Sequence, residues 1–208
     1  MAEFSEAGVR SALTELVSGD AVARLFHPLG DIPGQALYDK AYAPLLAALP
    51  DLERRDLIVV EGHDDDGAHW VGCMGHYMGS FIAPFMDIPP TGHLAHMRFH
   101  EFYRFDGPRV VEIQAIWDLP ELMMQAGAWP LVPSLGREFC VPGPMTQDGL
   151  SGHDPALSQP SRDHVIDMLT QLSRHPSEGG PEVMQAERFW HPRVNRYGPA
   201  GIGTARGF

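Results

Sequence analysis

The chain has 208 residues, a hydrophobic fraction of 44% and a formal net charge of −12. This composition supports one folded domain with an extension rather than two full domains. The acidic balance argues against a non-specific nucleic-acid-binding protein, because such proteins neutralise phosphates with a basic surface. Since no apolar run approaches the length that spans a bilayer, we expect no membrane segment.

The cysteines and the N-terminus indicate a cytoplasmic protein. Cys73 and Cys140 are far apart and form neither a CxxC site nor a disulfide framework, which fits a reducing compartment. The N-terminal stretch MAEFSEAGVR is acidic and lacks the basic-then-apolar pattern of a signal peptide. We therefore expect a cytoplasmic location.

The first fifty residues are predicted to be mostly helical. Ser5 is a suitable N-cap, and apolar residues recur at helical spacing from Val9 onward. The stretch SGD at 18–20 divides this region, and Asp20 could cap a second helix over AVARLF. After the loop HPLGDIPG, the stretch QALYDKAYAPLLAAL predicts a third helix, with Pro44 in its first turn or at a kink.

From Asp56 onward the pattern changes to that of strands. Four stretches have strand lengths with aromatic and β-branched residues: DLIVVEG, HWVGCMGHYMGSF, HLAHMRFHEFYRF and RVVEIQAIWD. The last two are joined by DGP and form the clearest β-hairpin in the chain. LPELMMQAG then predicts a short amphipathic helix that ends at Gly127.

The last third of the chain predicts an extension of the first domain. We expect a domain over 1–128, a Pro/Gly-rich linker over 129–160 and a helical extension over 161–208, with helices at RDHVIDMLTQL and EVMQAERFWHP. RLFHP at 24–28 recurs as RFWHP at 188–192, but a second repeat starting there would stop before its strands. Such a repeat cannot bury its own core. We expect either a truncated tandem protein or a tail that packs on the first domain or on a neighbouring chain.

The order of these elements resembles the SnoaL-like polyketide cyclase family, which has the NTF2-like fold. The resemblance covers residues 19–127 and is carried by GDAVARLFHP, LLAALPDL, IVVEGHD, GHYMGSF, IPPTGH and FYRFDGPRVVEIQAIWDLPELMMQAG. It implies an α+β fold, a cone-shaped barrel in which a curved, mostly antiparallel sheet wraps around N-terminal helices. The chain departs from the family at Pro108 in the hairpin turn, at Gln114, where an aromatic residue or histidine is usual, and near Tyr77, where a histidine is usual.

The resemblance also implies a function. It implies a cyclase of polyketide metabolism, of lyase or isomerase type, that closes a ring of a hydrophobic ketone or ester by an aldol-type reaction without metal or organic cofactor. In the family, the carboxylate at the end of the last strand performs acid/base catalysis, and Asp118 occupies that position. There are two alternatives. One is an enzyme of the same fold that catalyses hydrolysis, isomerisation or dehydration, and the other is a non-catalytic protein that binds a small molecule. Relatives are commonly homodimers through the convex sheet face.

The stretch HLAHMRFH contains three histidines whose meaning depends on the secondary structure. On a helix, His93, His96 and His100 would share one face and could bind a metal. On the predicted strand, His96, Arg98 and His100 share one face and His93 lies on the other. The strand interpretation therefore predicts no metal site.

The hairpin register predicts a candidate site. If DGP is the turn, Phe105 faces Arg109, His96 faces Asp118, and His100 faces Gln114. We expect this face to be the concave one, with Asp118 as general base and His96 and His100 as its partners. The expected substrate contacts are Gln114, Arg98, Tyr77, Trp70 and Glu112.

Each of these assignments has a structural alternative. Asp118 could be only the N-cap of the next helix, and the two histidines could be solvated strand residues. Tyr77 and Trp70 could be core or interface residues. A one-residue slip of the hairpin would present Met97, Phe99 and Glu101 instead.

Overall fold

The N-terminal region combines a helix with a strand. The computed structural model describes residues 4–137, 143–144 and 154–207. Helix α1 (Glu6–Leu16) is capped as predicted, since Ser5 Oγ accepts a hydrogen bond from the Gly8 N–H at 3.3 Å. The predicted second helix is wrong, because this stretch is strand β1 (Val17–Leu25). Its backbone pairs with two other strands, and this pairing overrides the helix propensity of its alanine and leucine residues.

The third predicted helix is present but irregular. It follows the short strand β2 (Asp31–Pro33) and runs as a 3₁₀ turn (Gly34–Ala36), a π-helical turn (Tyr38–Tyr42) and helix α2 (Ala43–Ala48). The irregularity coincides with Pro44, which has no N–H to donate into the preceding turn. The Ala43 N–H instead bonds to the Tyr38 carbonyl in the wider π pattern.

Six strands form one curved sheet, as the α+β prediction required. After β2, the long strands are β3 (Glu53–His63), β4 (His69–Ser80), β5 (Leu94–Asp106) and β6 (Arg109–Trp117). The order across the sheet is β2-β1-β6-β5-β4-β3, and every neighbouring pair is antiparallel except β1 with β6. The four strands predicted from Asp56 onward are therefore confirmed.

The hairpin register differs from the prediction by two residues along most of its length. The turn is shorter, because Asp106 pairs with Arg109 around Gly107 at φ 55. An irregularity between Arg104 and Phe105 then leaves Val111 without a partner, as in a β-bulge. His100 consequently faces Ile116 rather than Gln114, and strand β6 ends before any residue that could face His96.

The two faces of the sheet have different neighbours. The odd-numbered residues of β5, including Ala95, Met97 and Phe99, are buried against the N-terminal helices in one core. We call this the inner face. The even-numbered residues of β5 lie on the opposite, outer face. The hydrophobic effect explains why the odd-numbered residues of β5 face the helices, because these positions carry the apolar side chains.

The elements after the sheet agree only in part with the prediction. Helix α3 (Leu119–Gln125) ends as expected, with Gly127 at φ 67. Helix α4 (Pro155–Leu172) begins within the predicted linker. The helix predicted at EVMQAERFWHP is wrong: two 3₁₀ turns (Pro181–Met184 and Ala186–Arg188) are separated by Gln185 in the left-handed conformation, which an α-helix excludes. Strands β7 (Asn195–Arg196) and β8 (Ala205–Arg206) follow.

The C-terminal tail, residues 192–207, lies on the outer face of the sheet. The Arg98 guanidinium donates to the Gly198 carbonyl, and the Ala200 N–H donates to Asp118 Oδ2 at 2.8 Å. The Thr204 N–H donates to the Arg137 carbonyl at 2.9 Å.

The division of the chain at residues 128 and 160 stays a prediction, and Cys140 lies outside the described residues. Among the described helices, none is long and apolar enough to cross a membrane.

Candidate functional site

A cavity of about 420 Å³ lies between α1 and the inner face of the sheet. Its volume falls within the range of about 300–1,000 Å³ typical of small-molecule sites. We call it the cone pocket. Most of its wall is apolar, and α1 and β1 contribute Gly8, Val9, Ala12, Leu13, Leu16 and Val17. The Phe4 ring closes one side, packed against Tyr42 and Tyr77 at centroid distances of 5.9 and 5.6 Å.

One end of the cone pocket is polar and is built from Tyr42, Arg54, Asp56 and Tyr103. Arg54 and Asp56 alternate on β3, so both side chains reach the same face of the sheet. Arg54 Nη2 donates to Asp56 Oδ1 at 2.9 Å, and Arg54 Nε lies 3.2 and 3.3 Å from the two carboxylate oxygens. Asp56 is 37% exposed at its side chain, so its carboxylate is accessible from the pocket.

Glu101 lies fully buried beneath this polar end and accepts four hydrogen bonds. Its Oε1 accepts from Tyr77 Oη and Trp117 Nε1, both at 2.8 Å. Its Oε2 accepts from Arg54 Nη1 and Tyr103 Oη, both at 2.5 Å. Because a carboxylate has about four acceptor positions, these donors use the full capacity of Glu101. Glu101 therefore fixes the orientation of the groups that line the pocket.

The ionisation states follow from burial and from the Arg54 charge. Burial by itself would raise the pKa of Glu101, but Arg54 and the hydrogen bonds outweigh it, so the pKa lies below its usual value. Burial, and next the negative charge of Glu101, raise the pKa values of Tyr42, Tyr77 and Tyr103. The site at neutral pH therefore combines an ionised Glu101 with neutral tyrosine hydroxyls.

Most of the site residues predicted from the sequence do not line the cone pocket. Tyr77 lies on the inner face against the Phe4 ring, with its hydroxyl on Glu101, but it does not line the cavity. The others lie on the outer face: His96, Arg98, His100, Gln114, Glu112 and Trp70. The prediction that they line the concave face is therefore wrong, because that face is occupied by the apolar residues of the same strands.

The outer-face residues have structural partners of their own. Trp70 Nε1 donates to Asp64 Oδ2 at 2.9 Å, so Trp70 closes the β3–β4 turn. Glu112 accepts from Arg24 and Arg104 at 3.0 and 3.1 Å, and Gln114 donates to the same carboxylate at 2.9 Å. These contacts stabilise the outer surface of the sheet.

Asp118 is the N-cap of α3. Its Oδ1 accepts from the Glu121 N–H at 3.2 Å and its Oδ2 from the Ala200 N–H at 2.8 Å. Burial raises the pKa of its carboxyl. The N-cap role weighed for this residue is thus confirmed, and Asp118 faces the tail rather than the cone pocket.

Sequence reasoning missed Arg54, Asp56, Tyr42 and Tyr103, and named Glu101 only for a slipped register. One signal was present, because Glu101 interrupts an apolar series at every second residue of β5 from Ala95 to Phe105. A charged residue on the apolar face of a strand requires buried partners. Arg54 and Asp56 carried no comparable signal, since charged residues at the start of a strand are usually exposed to solvent. Within the described residues, no group of three or more His, Cys, Asp or Glu side chains could hold a metal ion.

The curved sheet with helices packed on its inner face is the NTF2-like fold. A family model described as SnoaL-like polyketide cyclase matches residues 1–126. The chain therefore belongs to the SnoaL-like polyketide cyclase family. A comparison with curated proteins gave no match.

The chain is also similar to solved structures. IdmH of Streptomyces antibioticus, a candidate polyketide cyclase, is 24% identical with a TM-score of 0.50, over 59% of this chain and 89% of IdmH. AclR of Streptomyces galilaeus, a candidate hydroxylase, is 21% identical with a TM-score of 0.49, over 60% of this chain and 77% of AclR. The likeness to IdmH shows a shared fold and leaves the reaction to be argued from the site.

Proposed function

We propose that the chain is a cofactor-independent polyketide cyclase-type enzyme that acts on a hydrophobic ketone or ester in the cone pocket. The observation that carries the proposal is a carboxylate, an arginine and two tyrosines at one end of a 420 Å³ cavity whose remaining wall is mostly apolar. An apolar wall favours the rings of a substrate, and the polar end would orient its carbonyl groups.

An aldol-type ring closure needs a base and an oxyanion partner. Asp56 would remove a proton from the carbon next to a carbonyl, since it is the only carboxylate among the described residues that line the cavity. Arg54 would donate a hydrogen bond to the enolate or alkoxide oxygen from the second N–H of Nη2, since Tyr103 gives its one proton to Glu101. The proton held by Asp56 would then return to the product oxygen, so that the step consumes no co-reactant.

Glu101 has a different role in this proposal. Its acceptor positions are filled and its pKa lies below the usual value, both of which make it a poor base. We therefore assign it to positioning Tyr103 and Arg54.

A non-catalytic binding protein is the second candidate. It is favoured by the ion pair between Arg54 and Asp56, whose shortest distance is 2.9 Å, because an engaged carboxylate is less available as a base. The two candidates predict different behaviour when Asp56 loses its charge.

The deciding experiment measures exchange of the acidic protons of aryl ketones with D₂O by NMR, using 2-tetralone and anthrone. For the enzyme, Asp56→Asn should slow catalysed exchange by about 10²–10⁴-fold, the usual contribution of a general base, while the ketone affinity from calorimetry changes little. Asp118→Asn is the matched control and should leave exchange unchanged, because Asp118 faces the tail. Tight ketone binding by the wild-type protein without exchange above the buffer rate would support the binding protein.

The same proposal includes a cytoplasmic location and a homodimer. The cytoplasmic location is supported by Cys73 and Cys140. They are far apart in the sequence and form no disulfide framework, which fits a reducing compartment. The homodimer is supported by apolar side chains on the outer face that the tail leaves exposed: Val60, Phe102 and Ile116, at 44%, 45% and 65%.

A further inference from the structure

We propose that, in the homodimer, helix α4 of each chain packs across the outer face of the partner's sheet. This inference rests on the homodimer included in the proposed function, and it names the two surfaces that meet. One surface is the α4 stripe, which consists of three apolar residues of that helix: Val165, Ile166 and Leu169. The other is the outer-face patch, which consists of the exposed apolar residues of the sheet: Val60, Phe102 and Ile116.

Helix α4 packs on its own chain mainly along one side. Met168 Sδ accepts a hydrogen bond from Trp190 Nε1 at 3.1 Å, and Gln171 Nε2 donates to the Val183 carbonyl at 2.5 Å. Successive residues of a helix are about 100° apart, so the centre of the α4 stripe lies about 140° around the helix from Met168 and Gln171. The stripe therefore points away from the segment on which α4 packs.

The α4 stripe is exposed in the single chain. Val165, Ile166 and Leu169 are 46%, 47% and 58% exposed. A helix of 18 residues with Pro160 in its interior gains most of its stability from burying an apolar face against another element. Since packing on its own chain leaves the stripe uncovered, α4 needs a second surface to cover it.

The outer-face patch is continuous across the sheet. Gly72 lies between Val60 and Phe102 in the strand register. A Cβ atom at Gly72 would lie 3.3 Å from Val60 Cγ2 and 2.9 Å from the Phe102 ring, so these two side chains meet above the glycine. The C-terminal tail makes its contacts further along the strands, at Arg98 and Asp118. The row from Val60 to Phe102 is therefore an apolar surface on which a helix can lie.

A two-fold dimer covers both surfaces at once. In such a dimer each contact occurs twice, with the helix of either chain on the sheet of the other. A helix of 18 residues is about 27 Å long and about 10 Å wide, so its footprint reaches about 270 Å² on each surface it joins. The two contacts then bury up to about 1,100 Å² in total, which meets the minimum of about 1,000 Å² for a specific interface. A dimer with sheet against sheet would leave both stripes uncovered.

Cross-linking between introduced cysteines tests this arrangement. Phe102→Cys and Leu169→Cys are made separately in full-length chains that carry Cys73→Ser and Cys140→Ser, and the two variants are co-expressed with tags of different size. Bismaleimidoethane should link the two variants to each other and link neither variant to itself. Ile82→Cys, co-expressed with Leu169→Cys, is the matched control and should stay unlinked, because Ile82 is 56% exposed but lies outside the strands.

Other arrangements of the dimer give different products. Phe102→Cys linked to itself indicates sheets packed face to face, and Leu169→Cys linked to itself indicates paired α4 helices. Either product without the mixed one would overturn this inference and leave the homodimer in place. A monomeric wild-type protein would overturn both.

A charge placed in the α4 stripe is an independent test. Leu169→Glu should raise the dissociation constant of the dimer at least tenfold, because it buries a charge without a partner in an apolar contact. Gln159→Glu is the matched control, since it adds the same charge to the same helix about 15 Å from Leu169, and it should dimerise like the wild type. Sedimentation over a range of protein concentrations measures both constants, and equal values for the two variants would overturn the inference. None of these measurements depends on the cone pocket or its reaction.

Discussion

At the residue scale, Glu101 organises the polar end of the cone pocket. Four side chains from four strands donate to this one carboxylate: Arg54, Tyr77, Tyr103 and Trp117. A buried charge is expensive unless it is paired and hydrogen-bonded, and here both conditions are met. The same contacts therefore hold the strands in place and hold the groups that would bind a substrate.

Replacing Glu101 by glutamine should destabilise the fold strongly. Glu101→Gln removes the partner of a largely buried arginine and places an amide N–H₂ against donors, at a cost of about 3 kcal/mol in the free energy of unfolding. Urea denaturation measures this cost. Glu53→Gln is the control, because the Glu53–Arg55 pair is 52% and 55% exposed at its side chains. That change should cost at most about 1 kcal/mol, and equal effects of the two variants would contradict the role assigned to Glu101.

His76 should make the stability of the fold depend on pH. Burial is the main reason that its pKa falls from 6.5 to about 4. A histidine whose folded-state pKa is lowered favours folding while it is neutral. Its contribution is therefore complete above pH 6.5 and is lost as the pH falls towards about 4.

His76→Gln should remove this component. Urea midpoints of the two proteins between pH 4 and pH 8 test it: the wild type should lose more stability on acidification than the variant, by about 2 kcal/mol. Since other acidic groups titrate in both proteins, only the difference between them reports on His76. Parallel pH profiles would contradict the prediction.

At the element scale, the close approach of β3 and β4 positions Arg54 and Asp56. Gly75 lies opposite Asp56, next to an irregularity in β3. A Cβ atom at Gly75 would lie 2.0 Å from the Arg55 carbonyl oxygen and 2.7 Å from the Phe99 ring. Only glycine allows the two strands to meet here.

Gly75→Ala should therefore separate the strands and disturb the polar end of the cone pocket. We expect a loss of about 2–3 kcal/mol in the free energy of unfolding and weaker ketone binding. Gly62→Ala, on β3, is the control, because a Cβ atom there would contact nothing within 4 Å. Its stability should stay within about 0.5 kcal/mol of the wild type. A fully stable Gly75→Ala protein would show that the strands can move apart without cost.

Elements were easier to predict from the sequence than their relation to one another. Strands β3 to β6 and α3 follow from local patterns and turn residues. Strand β1 was missed because its pairing with β6 joins distant parts of the chain. The site was misplaced for two non-local reasons: Val111 shifts the hairpin register, and burial under the helices selects the inner face. Neither is encoded within a single strand.

At the scale of the whole molecule, the extension contacts the sheet domain at several points. Besides Gly198 and Ala200 of the tail, Arg162 of α4 donates to Asp65 in the β3–β4 turn at 2.6 Å. The tail covers part of the outer face. The apolar side chains that remain exposed on this face, Val60, Phe102 and Ile116, lie on β3, β5 and β6.

Phe102→Glu should disrupt the proposed homodimer. Phe102 is 45% exposed on the outer face, and a charge there would be buried without a partner in a dimer. Light scattering after size exclusion should give a dimer mass for the wild type and a monomer mass for the variant. Ile82→Glu is the control, since Ile82 is 56% exposed outside the strands, and it should remain dimeric. A monomeric wild-type protein would contradict this part of the proposal.

The central claim is that the reacting compound binds inside the cone, beside Asp56 and Tyr103. A crystal structure of the full chain with anthrone bound tests it most directly. We predict electron density between α1 and the inner face, with the ketone oxygen about 2.7–3.2 Å from an Arg54 nitrogen. Anthrone bound only outside the cone pocket, with the pocket closed around its own side chains, would contradict the account.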